Sequence, residues 1–109
     1  MKVYRILTQE QWNTCKEVLP LSEIDIRDGY IHMSTQEELL KTANLYFLQE
    51  DVLVILSFEA QIFGAQLKME FVSSRNAYFP HLYAEDLLRS QISEVHHLQK
   101  EQQGFLWRK

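Results

Sequence analysis

The run Val52-Leu53-Val54-Ile55-Leu56-Ser57-Phe58 limits what this chain can become more than any other stretch. It is rich in β-branched and large apolar residues, and polar residues do not alternate through it. That pattern reads as a strand apolar on both faces, so it belongs in the middle of a sheet with cover on each side. The other elements must supply that cover. The chain has 109 residues, enough for one domain with a real core and too few for two ordinary ones, so a single domain over 1–109 is expected.

The remaining elements follow from periodicity and end signals. Val3 to Leu7 is a strand with apolar residues on both faces. Thr8-Gln9-Glu10-Gln11 has the form of a capping box and predicts a helix from Gln9 to Leu19, with Trp12, Cys15, Val18 and Leu19 inward and Pro20 as the stop. Leu21 to Arg27 reads as a loop. Ser34 and Thr35 compete to cap a second helix with a stripe of Leu39, Leu40, Ala43, Tyr46 and Phe47. Leu67 to Val72 alternates, placing Leu67, Met69 and Phe71 inward and Lys68 and Glu70 on the opposite face. Ser73 to Asn76 is a polar loop. Pro80 places the following extended segment at an edge or a strand entry. Ala84 to Leu88 can form a helical turn, Ile92 to Leu98 is the last long strand, and Gly104 to Trp107 packs back as a short edge strand. The order predicts an α+β fold: a split, mostly antiparallel sheet with two main helices on one side.

Composition narrows the function classes. Hydrophobic residues make up 46% of the chain and charged residues 24%, which are globular values and argue against disorder. The net charge is −4 and the Lys and Arg residues are scattered, so nucleic acid is not an expected partner. No apolar run reaches the length of a membrane span, and the first residues lack the features of a secretory leader, so the expected location is cytoplasmic. Cys15 is the only cysteine, which rules out an internal disulfide and disfavours a Cys-based zinc site. It reads as a small core residue.

Two short segments combine histidine with aromatic and hydroxyl groups at strand spacing. Asp28-Gly29-Tyr30-Ile31-His32-Met33-Ser34-Thr35 runs from a turn signal through an alternating strand into a helix start. Tyr30, His32 and Ser34 share one face, and Ile31 and Met33 point to the core. In Phe79-Pro80-His81-Leu82-Tyr83, an extended chain puts Phe79, His81 and Tyr83 on one face. Imidazole suits proton transfer near neutral pH, and Ser34 lies where helix N–H groups would favour an anion. The expected catalytic residues are His32, Glu70 and His81, with Thr8, Tyr30, Ser34 and Tyr83 as ligand-binding residues and no metal ligands. Each has a purely structural alternative: Thr8 and Ser34 as helix caps, the histidines bonded to backbone, Tyr83 as a packing residue and Glu70 as a solvated strand residue. His96-His97 cannot readily chelate one ion, because neighbours on a strand point to opposite faces.

These segments, with Tyr4-Arg5-Ile6-Leu7-Thr8, Trp12, Thr42-Ala43-Asn44 and Lys68-Met69-Glu70, resemble family 952 of the domains of unknown function, small bacterial proteins. The resemblance covers nearly the whole chain. It implies an ADP-ribosyltransferase-like fold similar to the RNA 2′-phosphotransferases, in which a His-x-Ser segment precedes a helix in an NAD-binding cleft. By that resemblance His32 and Ser34 face a nicotinamide-ribose or related ligand. The first strand ends Ile6-Leu7-Thr8 where those transferases carry His-Gly-Thr.

The resulting expectation is a small-molecule cleft for NAD or a related nucleotide, serving transferase chemistry of the glycosyl or ADP-ribosyl type or a degenerate form of it. The alternatives are a non-catalytic binding module and, third, a metal-dependent hydrolase. The oligomeric state is left open.

Overall fold

The computed structural model describes residues 1–107. Its centre is β3 (Val52–Glu59), whose residues Leu53 to Phe58 are all buried. Alternation divides them between two cores. Val54, Leu56 and Phe58 join Val3, Leu7, Leu19, Ile31, Met33 and Leu82 on one side. Leu53 and Ile55 join Tyr4, Leu39, Ala43, Leu98 and Phe105 on the other. Each such side chain contributes about 1.5–3 kcal/mol on burial, which is why a strand with no polar face is stable only here.

Two antiparallel three-stranded sheets carry the fold. In the first, β3 lies between β1 (Lys2–Thr8) and β6 (Glu94–Gln99). In the second, β5 (Ala77–Leu82) lies between the two-residue β2 (Ile31–His32) and β4 (Leu67–Val72). One bridge joins them: Tyr4 and Ser34 exchange main-chain hydrogen bonds of 2.9 and 2.8 Å. The α+β, mostly antiparallel reading therefore holds, with the split at that bridge.

The helices are α1 (Gln9–Thr14), α2 (Glu23–Asp28) and α3 (Gln36–Tyr46). They lie on both faces of the first sheet rather than one, since Trp12 of α1 packs on the first core and Leu39 and Ala43 of α3 build the second. Among the described residues no helix is long and apolar enough to cross a membrane.

Several local expectations change. Helix α1 ends at Thr14, well short of Pro20, because Val18 and Leu19 form a bridge with Leu87 and Leu88. The Arg89 guanidinium caps the shortened end by donating to the carbonyls of Trp12, Cys15 and Lys16. Val18 is consequently exposed, and so is Tyr46 at the last turn of α3. Ala84 to Leu88 forms no helix; a single 3-10 turn follows at Arg89–Gln91. Gly104 and Phe105 do pack back on the domain, clipped by Asn44, but no strand forms there. A Cβ on Gly104 would clash with Asn44 Oδ1.

The segment read as a loop, Leu21 to Arg27, contains α2. Ser22 and Asp25 form a reciprocal capping box, and Gly29 closes the helix in the left-handed conformation at φ 79°. Pro80 sits in the central strand of its sheet, not at an edge. Its missing N–H faces the short β2, and its carbonyl still accepts from Met33 N at 3.1 Å. Met69 and Phe71, expected inward, are 42% and 53% exposed. Their face of β4 extends past the core, which ends near Leu67 and Leu82.

Candidate functional site

The site is assembled by strand register. His32 of β2 lies directly opposite His81 of β5, and His81 lies opposite Lys68 of β4. Residues opposite one another in an antiparallel sheet share a face. The same face carries Tyr30 one step before β2, Tyr83 one step after β5, and Glu70 opposite Phe79. The other face buries Ile31, Met33 and Leu82 in the first core.

Four rings meet here. Tyr30 stacks on His81 with centroids 4.1 Å apart and planes at 27°. It contacts His32 at 4.6 Å and Tyr83 at 5.3 Å. The two imidazoles lie edge to face at 5.6 Å. A cavity of about 480 Å³ lies against Tyr30 and Tyr83, with Leu21, Gly29 and Gln66 among its other walls. That volume is within the range of small-molecule sites.

Each histidine is oriented by a carboxylate. His32 Nδ1 lies 2.7 Å from Asp25 Oδ1. His81 Nδ1 lies 2.8 Å from Glu70 Oε1, which also accepts the Tyr83 hydroxyl at 2.5 Å. A carboxylate only accepts, so Nδ1 is the donor in both pairs. His81 Nε2 makes no hydrogen bond among the described residues, and both bonds to Glu70 fall on Oε1. His32 Nε2 faces Asp28 Oδ2 at 3.1 Å.

The two carboxylates differ in setting. Asp25 is buried and accepts five hydrogen bonds: two from the Arg5 guanidinium, one each from the main-chain N–H groups of Ser22 and His32, and one from the His32 ring. Burial pushes its carboxyl up. The bonds from His32 and Arg5 outweigh that and hold it far below the usual carboxylate range. Arg5 also donates to the carbonyl of His32 at 2.7 Å, tying β1 to β2. Glu70 is solvent-accessible, and the Tyr83 hydroxyl and then the His81 ring hold it below the usual range. The reciprocal effect raises the Tyr83 phenol to about 12. Burial and the carboxylates of Asp28 and Glu70 raise Tyr30.

Five of the seven residues expected from sequence converge: Tyr30, His32, Glu70, His81 and Tyr83. Two stand apart. Thr8 caps α1, its hydroxyl accepting from Gln11 N at 3.1 Å. Ser34 is buried at the bridge to Tyr4; the α3 cap is Thr35, which accepts from Glu38 N. Arg5, Asp25 and Asp28 were not anticipated. The Ser22-x-x-Asp25 spacing was the available signal for Asp25, since it is a capping box with Asp at the third position. His96 and His97 do point to opposite sides: His96 packs on Trp107, and His97 is exposed. Among the described residues no three His, Cys, Asp or Glu side chains are grouped to hold a metal ion.

The family described as protein of unknown function (DUF952) matches residues 6–96. The chain belongs to this DUF952 family. The crystal structure of protein CC0527 from Caulobacter crescentus is 34% identical, with a TM-score of 0.84 over 96% of this chain and 92% of that one. The solution structure of the same protein is similar at a TM-score of 0.81, over 95% and 90% of the two chains. A comparison with curated proteins gives no match. For this DUF952 chain the site geometry is therefore the main guide to function.

Proposed function

We propose that this face is a cleft for a nucleotide or NAD-like small molecule, and that the protein is a cytoplasmic transferase of the glycosyl or ADP-ribosyl type on an ADP-ribosyltransferase-like fold. The observation that supports it most is the pairing of two histidine–carboxylate couples around one tyrosine ring, beside a cavity of ligand size.

The fit to NAD is better at its ring and ribose than at its phosphates. Tyr30 and Tyr83 offer rings on the cavity wall, and Glu70 offers an accessible carboxylate oxygen for a ribose hydroxyl. The pyrophosphate has less to meet: Arg5 is held by Asp25, and Arg27 by Asp28. Ligands are thus expected to be recognised chiefly through the nucleoside end. In this reading His81 Nε2 takes a proton from an incoming hydroxyl while Glu70 orients a sugar hydroxyl or faces a developing positive charge. His32 positions the ribose, or exchanges a proton after Asp28 yields Nε2.

One observation favours binding without turnover. Ile6, packed against the second core, stands at the place where the resembling transferases carry a ligand-contacting histidine.

A thermal-unfolding screen with NAD, ADP-ribose, nucleotides and nucleosides tests the proposal. A ligand present at a hundred times its Kd adds about 2.7 kcal/mol. Stabilisation that disappears in His81→Ala supports the cleft, and no stabilisation by any of these at millimolar concentration rejects it. Turnover assays on the ligands that bind then separate a transferase from a binding module.

A further inference from the structure

Strand β4 is an outer strand of its sheet; Leu67 N donates to Gly64 O, and from the Leu67 carbonyl to Phe71 no other hydrogen bond among the described residues occupies its free edge. The hydrogen bond from Tyr83 N to Gln66 O, 2.8 Å, extends the β4–β5 register by one step and fixes which groups face out. Gln66, Lys68, Glu70 and Val72 direct their main-chain groups at β5, so those of Leu67, Met69 and Phe71 point away from the sheet. Met33 N bonding to Pro80 O agrees, because it turns the main-chain groups of Pro80 toward β2 and away from Met69. An edge of this length without proline or bulge is a template for another strand.

We propose that β4 pairs antiparallel with β4 of a second copy of this chain, in the register centred on Met69. The sequence Leu67-Lys68-Met69-Glu70-Phe71 is self-complementary about that residue. Met69 faces Met69 of the second copy, and Leu67 faces Phe71. These are hydrogen-bonded positions and give about four main-chain bonds, because Leu67 N of each copy is already bonded to Gly64 O. Lys68 faces Glu70 of the second copy, and Glu70 faces Lys68, at the closer non-hydrogen-bonded positions. Shifting the centre by one residue sets Lys68 against Lys68 or Glu70 against Glu70, and like charges directly opposite are destabilising. Charge thus selects both the partner and the register. The apolar side of the strand agrees: Met69 and Phe71 are exposed, and pairing sets Met69 against Met69 and Phe71 against Leu67 of the other copy. Strand β6, an outer strand of the first sheet, reads Glu-Val-His-His-Leu-Gln and has no lysine or arginine to match Glu94.

The pairing itself stands on the strand edge alone. Its consequence for the cleft rests on the proposed function: Lys68 of the second copy arrives beside Glu70, the carboxylate that orients His81 and Tyr83. Each cleft, whose own Lys68 lies 5.5 Å from the Tyr83 ring centroid, then gains a second cation from the other copy.

Sedimentation equilibrium over a concentration series reads the association directly and is indifferent to whether any ligand binds. The chain is expected to reach twice its monomer mass at high concentration. Lys68→Glu and Glu70→Lys are each expected to be monomeric under those conditions, because each sets like charges opposite one another. Mixed in equal amounts, the two variants place glutamates against lysines at both positions, and the mass is expected to double again. Met69→Pro removes a donor that faces the free edge and no β4–β5 bond, so it is expected to give a folded monomer. A wild-type chain that stays monomeric overturns the proposal. So does a dimer that survives either charge variant, or a mixture of the two variants that fails to associate.

Discussion

The two histidine–carboxylate pairs use the same contact, Nδ1 on a carboxylate oxygen, in opposite surroundings. At His32 the carboxylate is Asp25, buried, paired with Arg5 and fixed by main-chain N–H groups from both sides. At His81 it is Glu70, solvent-accessible, with both contacts on one oxygen. The first pair holds the fold together, because Arg5 and Asp25 join β1, α2 and β2 at the seam between the sheets. The second pair leaves a Glu70 carboxylate oxygen accessible and His81 Nε2 without a hydrogen bond among the described residues, on a ring that is itself buried. The same two side-chain types thus serve as scaffold on one strand and, in our reading, as ligand-facing groups on the next.

The largest effects are expected where the buried pair is broken. Arg5→Met leaves the Asp25 charge buried and short of its main partner and should cost about 3–5 kcal/mol, as removal of one member of a buried ion pair does. Urea unfolding measures it. A loss under 1 kcal/mol would break the distinction between the two pairs.

The same pair sets an acid dependence. The folded Asp25 carboxyl titrates well below its unfolded value of about 3.9. Its contribution is therefore complete above that value and is lost as the pH falls from about 5 toward the folded value. Urea midpoints should drop through this window in the wild type. They should drop less steeply in Asp25→Asn, which has no carboxyl there to titrate. Parallel profiles would contradict the assignment.

At the open pair the expectation reverses. Glu70→Gln should leave stability little changed, because the carboxylate is solvent-accessible, while removing the response to ligand. It should also return the Tyr83 phenol from about 12 toward its ordinary value of 10, read from the Tyr83 ring resonances in an alkaline NMR titration. An unmoved titration would show that Glu70 does not hold that hydroxyl. The smallest effect on ligand response is at Thr8, where loss of the cap in Thr8→Ala should cost about 1 kcal/mol of stability and leave that response intact.

Much of this architecture was legible in the sequence, for reasons particular residues make clear. Val52 to Phe58 has no polar face, so its central place followed. Tyr30, His32, His81 and Tyr83 came together because period-two alternation and strand pairing are enough to align them. What the sequence concealed depended on partners distant along the chain. Arg5 lies between apolar neighbours, and only the docking of α2 explains its burial. Helix α2 is six residues long, too short to show an apolar stripe, and its capping box carries Asp where Glu or Gln is the usual signal. Helix α1 stopped early because Leu87 and Leu88 compete for Val18 and Leu19. Met69 and Phe71 alternate as core residues do, yet they lie beyond the reach of the core, on a strand whose edge is open.

The most direct test of the central claim is a residue-resolved NMR titration of the protein with NAD, ADP-ribose and a nucleoside. Saturable shifts are predicted at Tyr30, Glu70, His81 and Tyr83, with Thr8 unmoved. Absence of saturable shifts at those four residues, or shifts centred on Thr8 and the first helix, would contradict the account.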